Sequence, residues 1–418
     1  MVRHDLKLRA LKLFPSGRVA ARTVTARAVA AGALLAGLAA CVPYPPPGGT
    51  ASPGGPATVS QPARPVAILL PLTGPQAELG QNMLRAAQLA FNGQPDAPLD
   101  VRDTAGTPAG AAGAARAALA NGDGVILGPL TSSETAAVSP LARAANVPVL
   151  AFTSDPAQAQ PGVWVLGITP DQQVRRLLDA VAAENKTRIA AVLPDNPLGA
   201  ALGSGLRQAA RDAALPPPVV QNYGSGGLSD ALKVASGFEA RHPAAASDSA
   251  ASSADPSAPP PAPPSVPVPF DALLLGAVGD QLGQAVPLLA TFDIRPTAVR
   301  VVGPALWAQN AARYPDLAGA WYAAPDPALR ASFLALYTGK YNAPPRDLAD
   351  LAFDAANIAR TAGPNAAGLF RPEGFAGADG PVALLPDGRT RRGLAIFVVE
   401  RGGTRLLQPA PRSLQPGS

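Results

Sequence analysis

The residues able to do chemistry are few, and their types point to binding. Hydroxyls cluster in loops that follow short apolar runs: Leu72-Thr73-Gly74-Pro75, Gly128-Pro129-Leu130-Thr131-Ser132-Ser133 and Thr153-Ser154-Asp155. Hydroxyls and free backbone N–H groups at the starts of helices suit an anion such as a carboxylate. Thr73, Gly74, Ser132, Ser133, Thr153 and Ser154 are therefore candidates for holding one. Ser and Thr are also the usual helix caps, so capping alone accounts for such loops about as well. Asp195 with Asn196, and Asp280, follow later apolar runs. Each suits either orienting a ligand or starting a helix, and capping is the stronger reading for Asp195-Asn196.

Catalysis and cofactor chemistry find little material. The chain has one Cys and two His, His4 and His242. One Cys excludes an intramolecular disulfide and a Cys-based zinc site. His4 lies in a segment read below as removed, which leaves no basis for a Ser-His-Asp triad, a Cys-His pair or a multi-His metal site. No loop reads as GxGxxG or GxxxxGK[ST], which disfavours dinucleotide and P-loop chemistry. Gly224-Ser225-Gly226-Gly227 lacks both the Lys and the spacing and reads as a turn before a helix. The expectation is a non-enzyme without cofactor. Trp164, Trp307 and Trp321 read as core or hinge packing.

The elements that must position these loops alternate. Apolar runs of strand length occur at 65–70, 99–103, 124–128, 147–152 and 163–167, with helical spacing at 80–91, 109–120 and 133–145 between them. The alternation repeats with helices at 173–184, 200–214, 228–241 and 281–292. The strands of this second set lie at 188–193, 218–223, 271–275, 298–302 and 318–323. Helices at 326–341 and 348–362 and a late strand at 393–400 complete it. Alternation at this spacing predicts parallel βα units with helices on both sheet faces. The 418 residues, 47% of them hydrophobic, suffice for two such lobes. The fold class is α/β, as two doubly wound parallel-sheet lobes.

The chain is expected to carry an address at its front. Residues 1–27 hold seven basic side chains against Asp5, and Ala28–Ala40 is uncharged. These 13 apolar residues are too few to span about 30 Å of hydrocarbon as a helix. A basic region, a short apolar stretch and small residues make a secretory signal over 1–40. It closes on Leu38-Ala39-Ala40-Cys41, which resembles a bacterial lipobox, so Cys41 is the candidate lipidation site and new N-terminus. Removing seven basic residues and one acidic residue moves the formal net charge from +5 to −1. No basic patch then remains for a nucleic acid.

Two stretches are too rich in Pro, Gly, Ala and Ser to bury much. Residues 41–65 read as a tether, and 243–269 as a surface insertion.

Longer stretches match a family. Val66–Gly74, Leu79–Asn82, Ile126–Leu130 and Val147–Val149 resemble type I periplasmic binding proteins of the leucine-binding group. Gly128–Leu130, Ala151–Asp155, Trp321–Pro327, Leu351–Ala355 and Gly374–Gly380 with Asp387-Gly388-Arg389 are similar to the branch of penicillin-binding-protein activators. The resemblance implies two lobes, 66–169 with 323–411 and 170–322, joined by a three-strand hinge around a closing cleft. It places a ligand carboxylate on Ser132 or Ser133 and on Thr153 or Ser154. It also implies aromatic groups and an acid from the second lobe, and here the sequence departs. Pro197-Leu198-Gly199 stands where a Tyr-Gly follows Asp195 in the family, and Gly303-Pro304-Ala305 where the family has Gly-Pro-Glu. An ammonium left unpaired in a closed cleft is costly. Asp280 is the remaining acid available to it.

The resemblance thus implies a lipid-anchored periplasmic regulator of a peptidoglycan synthase, a penicillin-binding protein. The alternative is the receptor of an ABC permease for branched-chain amino acids or small carboxylates. Val42 after Cys41, not Asp, points to the outer membrane.

Overall fold

A computed structural model describes residues 64–91, 99–242, 266–362 and 366–414. Cys41, the signal segment and nearly all of the tether lie outside the described residues, as does the insertion up to residue 265.

The first lobe is a parallel sheet of five strands. Its strands are β1 (Val66–Leu70), β2 (Leu99–Asp103), β3 (Val125–Leu127), β4 (Val149–Ala151) and β5 (Val163–Val165), in the order β2-β1-β3-β4-β5. β1 is buried along its whole length, as an apolar run covered on both faces must be. Helices α1 (Ala77–Phe91), α2 (Pro108–Asn121) and α3 (Ser132–Ala144) alternate with the strands. Alternate residues of β1 enter different cores. Ile68 and Leu70 meet Met83 and Ala87 of α1, while Ala67 and Leu69 meet Ala111, Ala115 and Ala118 of α2. Two cores on opposite faces of one sheet make a doubly wound layer.

The second lobe is built from α4 (Pro170–Ala183), β6 (Ile189–Pro194), α5 (Pro197–Asp212), β7 (Val219–Tyr223), α6 (Leu228–Ser236) and α7 (Phe238–Arg241). β8 (Ala272–Leu275), α8 (Asp280–Thr291), β9 (Arg300–Gly303) and β10 (Trp321–Ala324) follow. The helix expected over 228–241 is divided at Gly237, whose φ of 64° ends α6 in a left-handed cap.

The chain then returns to the first lobe with α9 (Pro327–Tyr341) and α10 (Ala349–Ala362). A small antiparallel sheet of β11 (Phe375–Gly377), β12 (Gly380–Leu384) and β13 (Thr390–Arg392) follows. It abuts the edge strand β5, where Val165 N–H donates to Gly388 O at 3.1 Å and Trp164 Nε1 to Leu385 O at 2.7 Å. Two further strands, β14 (Ala395–Glu400) and β15 (Gly403–Gln408), end the fold.

Those last two strands change the expected division. The reading of 323–411 as first lobe does not hold for them: they extend the second sheet in the order β15-β14-β10-β9-β8-β6-β7. β14 runs antiparallel to β10, with Ala323 opposite Ile396. The physical reason is burial, since Ile396 and Val398 pack with Trp321 and Val302 of the second lobe. The expected insertion also ends earlier than 269, because Val268 is buried in the second-lobe core. All three tryptophans are buried, Trp307 completely. Trp307 lies so close to Gly303 that a Cβ there would fall 2.2 Å from the indole.

The chain passes between the lobes at 166–169, 325–326 and 393–394. Side chains tie these crossings together. Gln172 Nε2 donates to both the carbonyl and the hydroxyl of Thr390 at 2.8 Å, and Thr390 Oγ1 donates to Val165 O at 2.8 Å. Arg176 Nε donates to Leu394 O at 2.8 Å. Asp326 accepts from Ala410 N–H at 3.0 Å.

Candidate functional site

In open α/β sheets ligands sit beyond the carboxyl ends of the strands. The first-lobe loops there are largely satisfied from within. After β1, Thr73 Oγ1 donates to Asp103 at 2.6 Å, and Asp103 also accepts the Leu72 and Ala105 N–H groups at 2.8 Å. Partial burial works to raise the Asp103 pKa, but the bonds from Thr73 and the backbone hold it below its ordinary value. Gly74 supplies the left-handed turn at φ 81°, exposed beside this bond.

After β3 the true cap of α3 is Thr131, in a reciprocal capping box with the fully buried Glu134. Thr131 Oγ1 donates to Glu134 Oε2 at 2.7 Å and accepts from Glu134 N–H at 3.2 Å. Ser132 is thereby freed from capping, yet its hydroxyl donates to Asp155 Oδ2 at 2.5 Å. Ser133 is exposed, with its Oγ 3.3 Å from that of Thr131. After β4, Thr153 is buried and its hydroxyl accepts Asp155 N–H at 3.1 Å. Ser154 is exposed. Burial works to raise the Asp155 pKa, but the donors Ser132, Ala157 N–H and Gln158 outweigh it and hold it low.

A cleft of about 480 Å³ opens at these strand ends and reaches the hinge. Thr153 and Ser154 line it, together with Gly167, Ile168 and Pro325 of the crossings. Leu79, Leu130, Phe152 and Leu351 give it an apolar body. Its charged groups are Arg330, Asp347 and Asp350, none of which the sequence reading singled out. Asp350 and Asp354 stand four residues apart, so they share one face of α10. That spacing was the available signal for the carboxylates; Arg330 carried none.

Of the candidate residues, only Thr153 and Ser154 line the cleft. Thr73, Gly74, Ser132 and Ser133 lie on neighbouring loops. Asp195 is exposed in the second lobe, where its N–H donates to Tyr223 O at 2.8 Å, and Asn196 caps α5 through Gly199 N–H at 3.0 Å. Asp280 is the exposed first residue of α8. In the Gly303-Pro304-Ala305 turn, Ala305 N–H donates to Gln173 Oε1 at 2.8 Å. Among the described residues no group of three His, Cys, Asp or Glu side chains could hold a metal ion.

The architecture agrees with what a family comparison gives. The model of the periplasmic binding protein family matches residues 65–402. The chain belongs to the periplasmic binding protein family. Three solved structures resemble this periplasmic binding protein in fold. One is a putative branched-chain amino acid ABC transporter protein from Rhodospirillum rubrum, at 20% identity and a TM-score of 0.62, covering 82% of this chain and 100% of that one. Another is the leucine-binding protein LivK from Thermotoga maritima, at 16% identity and a TM-score of 0.53, covering 85% and 99%. The third is the C-domain of LpoA from Haemophilus influenzae, described as a regulator of PBP1A. It matches at 15% identity and a TM-score of 0.60, covering 82% and 99%. Against full-length LpoA the match covers 83% of this chain and 59% of that one. At these identities the likeness shows a shared fold. A comparison of the sequence with curated proteins gives no match.

Proposed function

We propose that this periplasmic binding protein is a non-catalytic regulator that works by contact with a protein partner, a peptidoglycan synthase of the penicillin-binding-protein type. The observation that carries the reading is the bond from Ser132 to Asp155. The resemblance to amino-acid receptors places a ligand carboxylate on Ser132 or Ser133, and Ser132 is the one of the two set against the next strand's loop. Here a carboxylate of the chain itself holds it, and Asp103 holds Thr73 in the same manner. An incoming carboxylate would have to displace a charge-assisted hydrogen bond of the protein, and it would sit beside a like charge. On the opposite side, the turn at Gly303–Ala305 offers no acid to an ammonium. The likeness to the LpoA C-domain supports the choice of partner. A lipid on Cys41 and a tether would let the lobes reach such a partner from the outer membrane.

The second reading is a solute receptor for an ABC importer, favoured by the 480 Å³ cleft, a size that suits a small molecule. One pair of measurements separates the two. The purified protein is mixed with a bifunctional penicillin-binding protein from the same cells, and association and glycan synthesis are followed. Complex formation with a change in synthesis rate is expected. No association and no change in rate would sink the regulator. In parallel, calorimetry with branched-chain amino acids should give no heat of binding; a micromolar ligand would reverse the order.

A further inference from the structure

Between the cleft wall and the hinge lies a group of five charged side chains, four of them buried and the fifth, Arg330, partly exposed at the cleft. Asp354 of α10 is completely buried, accepts Ala378 N–H at 2.6 Å and pairs with Arg392 at 2.9 Å. Arg392 closes β13 and also donates its Nε to Leu166 O at 3.1 Å, in the first crossing. It directly precedes the third crossing, Gly393-Leu394. One turn before Asp354 stands Asp350, 6% exposed, and against it Asp379, 3% exposed, from the turn between β11 and β12. Arg330 of α9 approaches Asp350 at 3.5 Å and Asp379 at 3.6 Å, too far for good hydrogen bonds. Neither oxygen of Asp379 meets a donor, and Arg330 Nε meets no acceptor within hydrogen-bond distance.

The charges do not balance if all five groups are ionised. Three carboxylates face two guanidiniums, which leaves one net negative charge in a buried site. The charged groups around Asp379 are Arg330 on α9 and Asp350 and Asp354 on α10, with Arg392 of β13 acting through its pair with Asp354. Asp350 and Asp379 stand 3.5 and 3.6 Å from the one guanidinium of Arg330, which cannot neutralise two buried carboxylates, so a single proton on the pair would balance the group.

We propose that Asp350 and Asp379 share one proton, and that this proton latches the cleft wall to the hinge, so that its loss at alkaline pH loosens the hinge. Burial first, and then the hydrogen bond and charge of Asp350, push the Asp379 pKa up to about 9. Asp350 moves the other way: burial opposes the shift, but Asp379 and the two guanidiniums hold it low. With the proton present the group is neutral. Without it, Asp379 competes for Arg330 at the cleft and repels Asp354, the partner of Arg392. Arg392 in turn holds one crossing and leads into another. Proton loss therefore acts on the hinge. The latch does not depend on which partner the protein meets.

The purified protein and Asp379→Asn are compared by infrared spectroscopy, thermal unfolding and small-angle scattering. The wild type should show the carbonyl stretch of a protonated carboxylic acid at pH 7.5, and the variant should lack it. A carboxyl whose folded pKa is raised stabilises fully below its unfolded value and loses that contribution as pH rises through the folded one. The wild-type midpoint should therefore fall from pH 5 to pH 9 more steeply than that of Asp379→Asn. The wild-type radius of gyration should change between pH 7.5 and pH 10, while that of the variant stays constant. Absence of the acid band in the wild type would overturn the shared proton even if the variant fails to fold, and equal pH slopes would overturn it when the variant folds. A wild-type scattering curve unchanged to pH 10 would overturn the latch.

Discussion

Ser132 and Asp155 close on each other across the carboxyl ends of β3 and β4, with Ser132 Oγ donating to Asp155 Oδ2 at 2.5 Å. Asp155 also caps the short turn that starts at Pro156, by accepting Ala157 N–H at 3.0 Å. The bond is charge-assisted and partly sheltered, so a double-mutant cycle of Ser132→Ala and Asp155→Ala should give a coupling energy of about 1–2 kcal/mol. Denaturant unfolding of the four proteins measures it. Strict additivity would mean that the two side chains do not hold each other in solution.

The ion pair of Arg392 and Asp354 is the most buried among the described residues, at 3% and 0% side-chain exposure. Removing one member leaves a charge in a dry site. Arg392→Ala should therefore lose about 3–5 kcal/mol. A loss under about 1 kcal/mol would contradict the placement, because a surface pair contributes no more than that.

Acid should act through Asp271. Hydrogen bonds from Arg188 lead in lowering its pKa; burial opposes them, the Arg188 and Thr187 N–H groups assist, and the result is about 2. A depressed carboxyl stabilises at pH values above its unfolded value and loses that contribution as pH falls through the folded one. Stability should thus decline between about pH 4 and pH 2 by roughly 1 kcal/mol, once solvent screening of this partly exposed pair is allowed for. Asp271→Asn should flatten that limb of the curve. An unchanged acid limb in the variant would remove Asp271 as its source.

Trp307 anchors the second-lobe core. It has no exposed surface, and its Nε1 donates to Ala277 O at 2.9 Å. Trp307→Ala should lose about 3–5 kcal/mol through the cavity it leaves. Gly303→Ala should lose about 1–3 kcal/mol by overpacking, since its new methyl would overlap the indole. Thermal unfolding of both variants checks the pair. A neutral Gly303→Ala would mean that the indole moves aside freely.

Local pattern made most of the fold legible. β1 was readable because Val66–Leu70 is a short apolar run, and α1 because Met83 and Ala87 repeat at helical spacing before it meets the sheet. The small sheet β11–β13 was not readable as strands, since Gly374, Gly377, Gly380 and Gly388 break any period within it. β15 was also missed: half of its residues Gly403–Gln408 are exposed and none is buried, and an edge strand with one polar face looks like a loop. The site divides along the same line. Thr153 and Ser154 stood out as hydroxyls following a strand, and they do line the cleft. Arg330 on α9 has nothing in its own segment to distinguish it from a solvated surface residue.

The sequence by itself determined that βα units alternate, where their hydroxyl-bearing loops lie and that histidines number only two, because period, loop composition and residue counts are local properties. Only the tertiary structure decided that Asp155 would take the Ser132 hydroxyl, that β14 and β15 would join the second sheet, that Arg330 would meet Asp350 and Asp379, and that Arg392 would meet Asp354. Gln172 and Thr390, whose bonds help join the lobes, are 218 residues apart. Partners at such separations are chosen by burial and by the need to satisfy charge inside a packed core, and no local spacing records that choice.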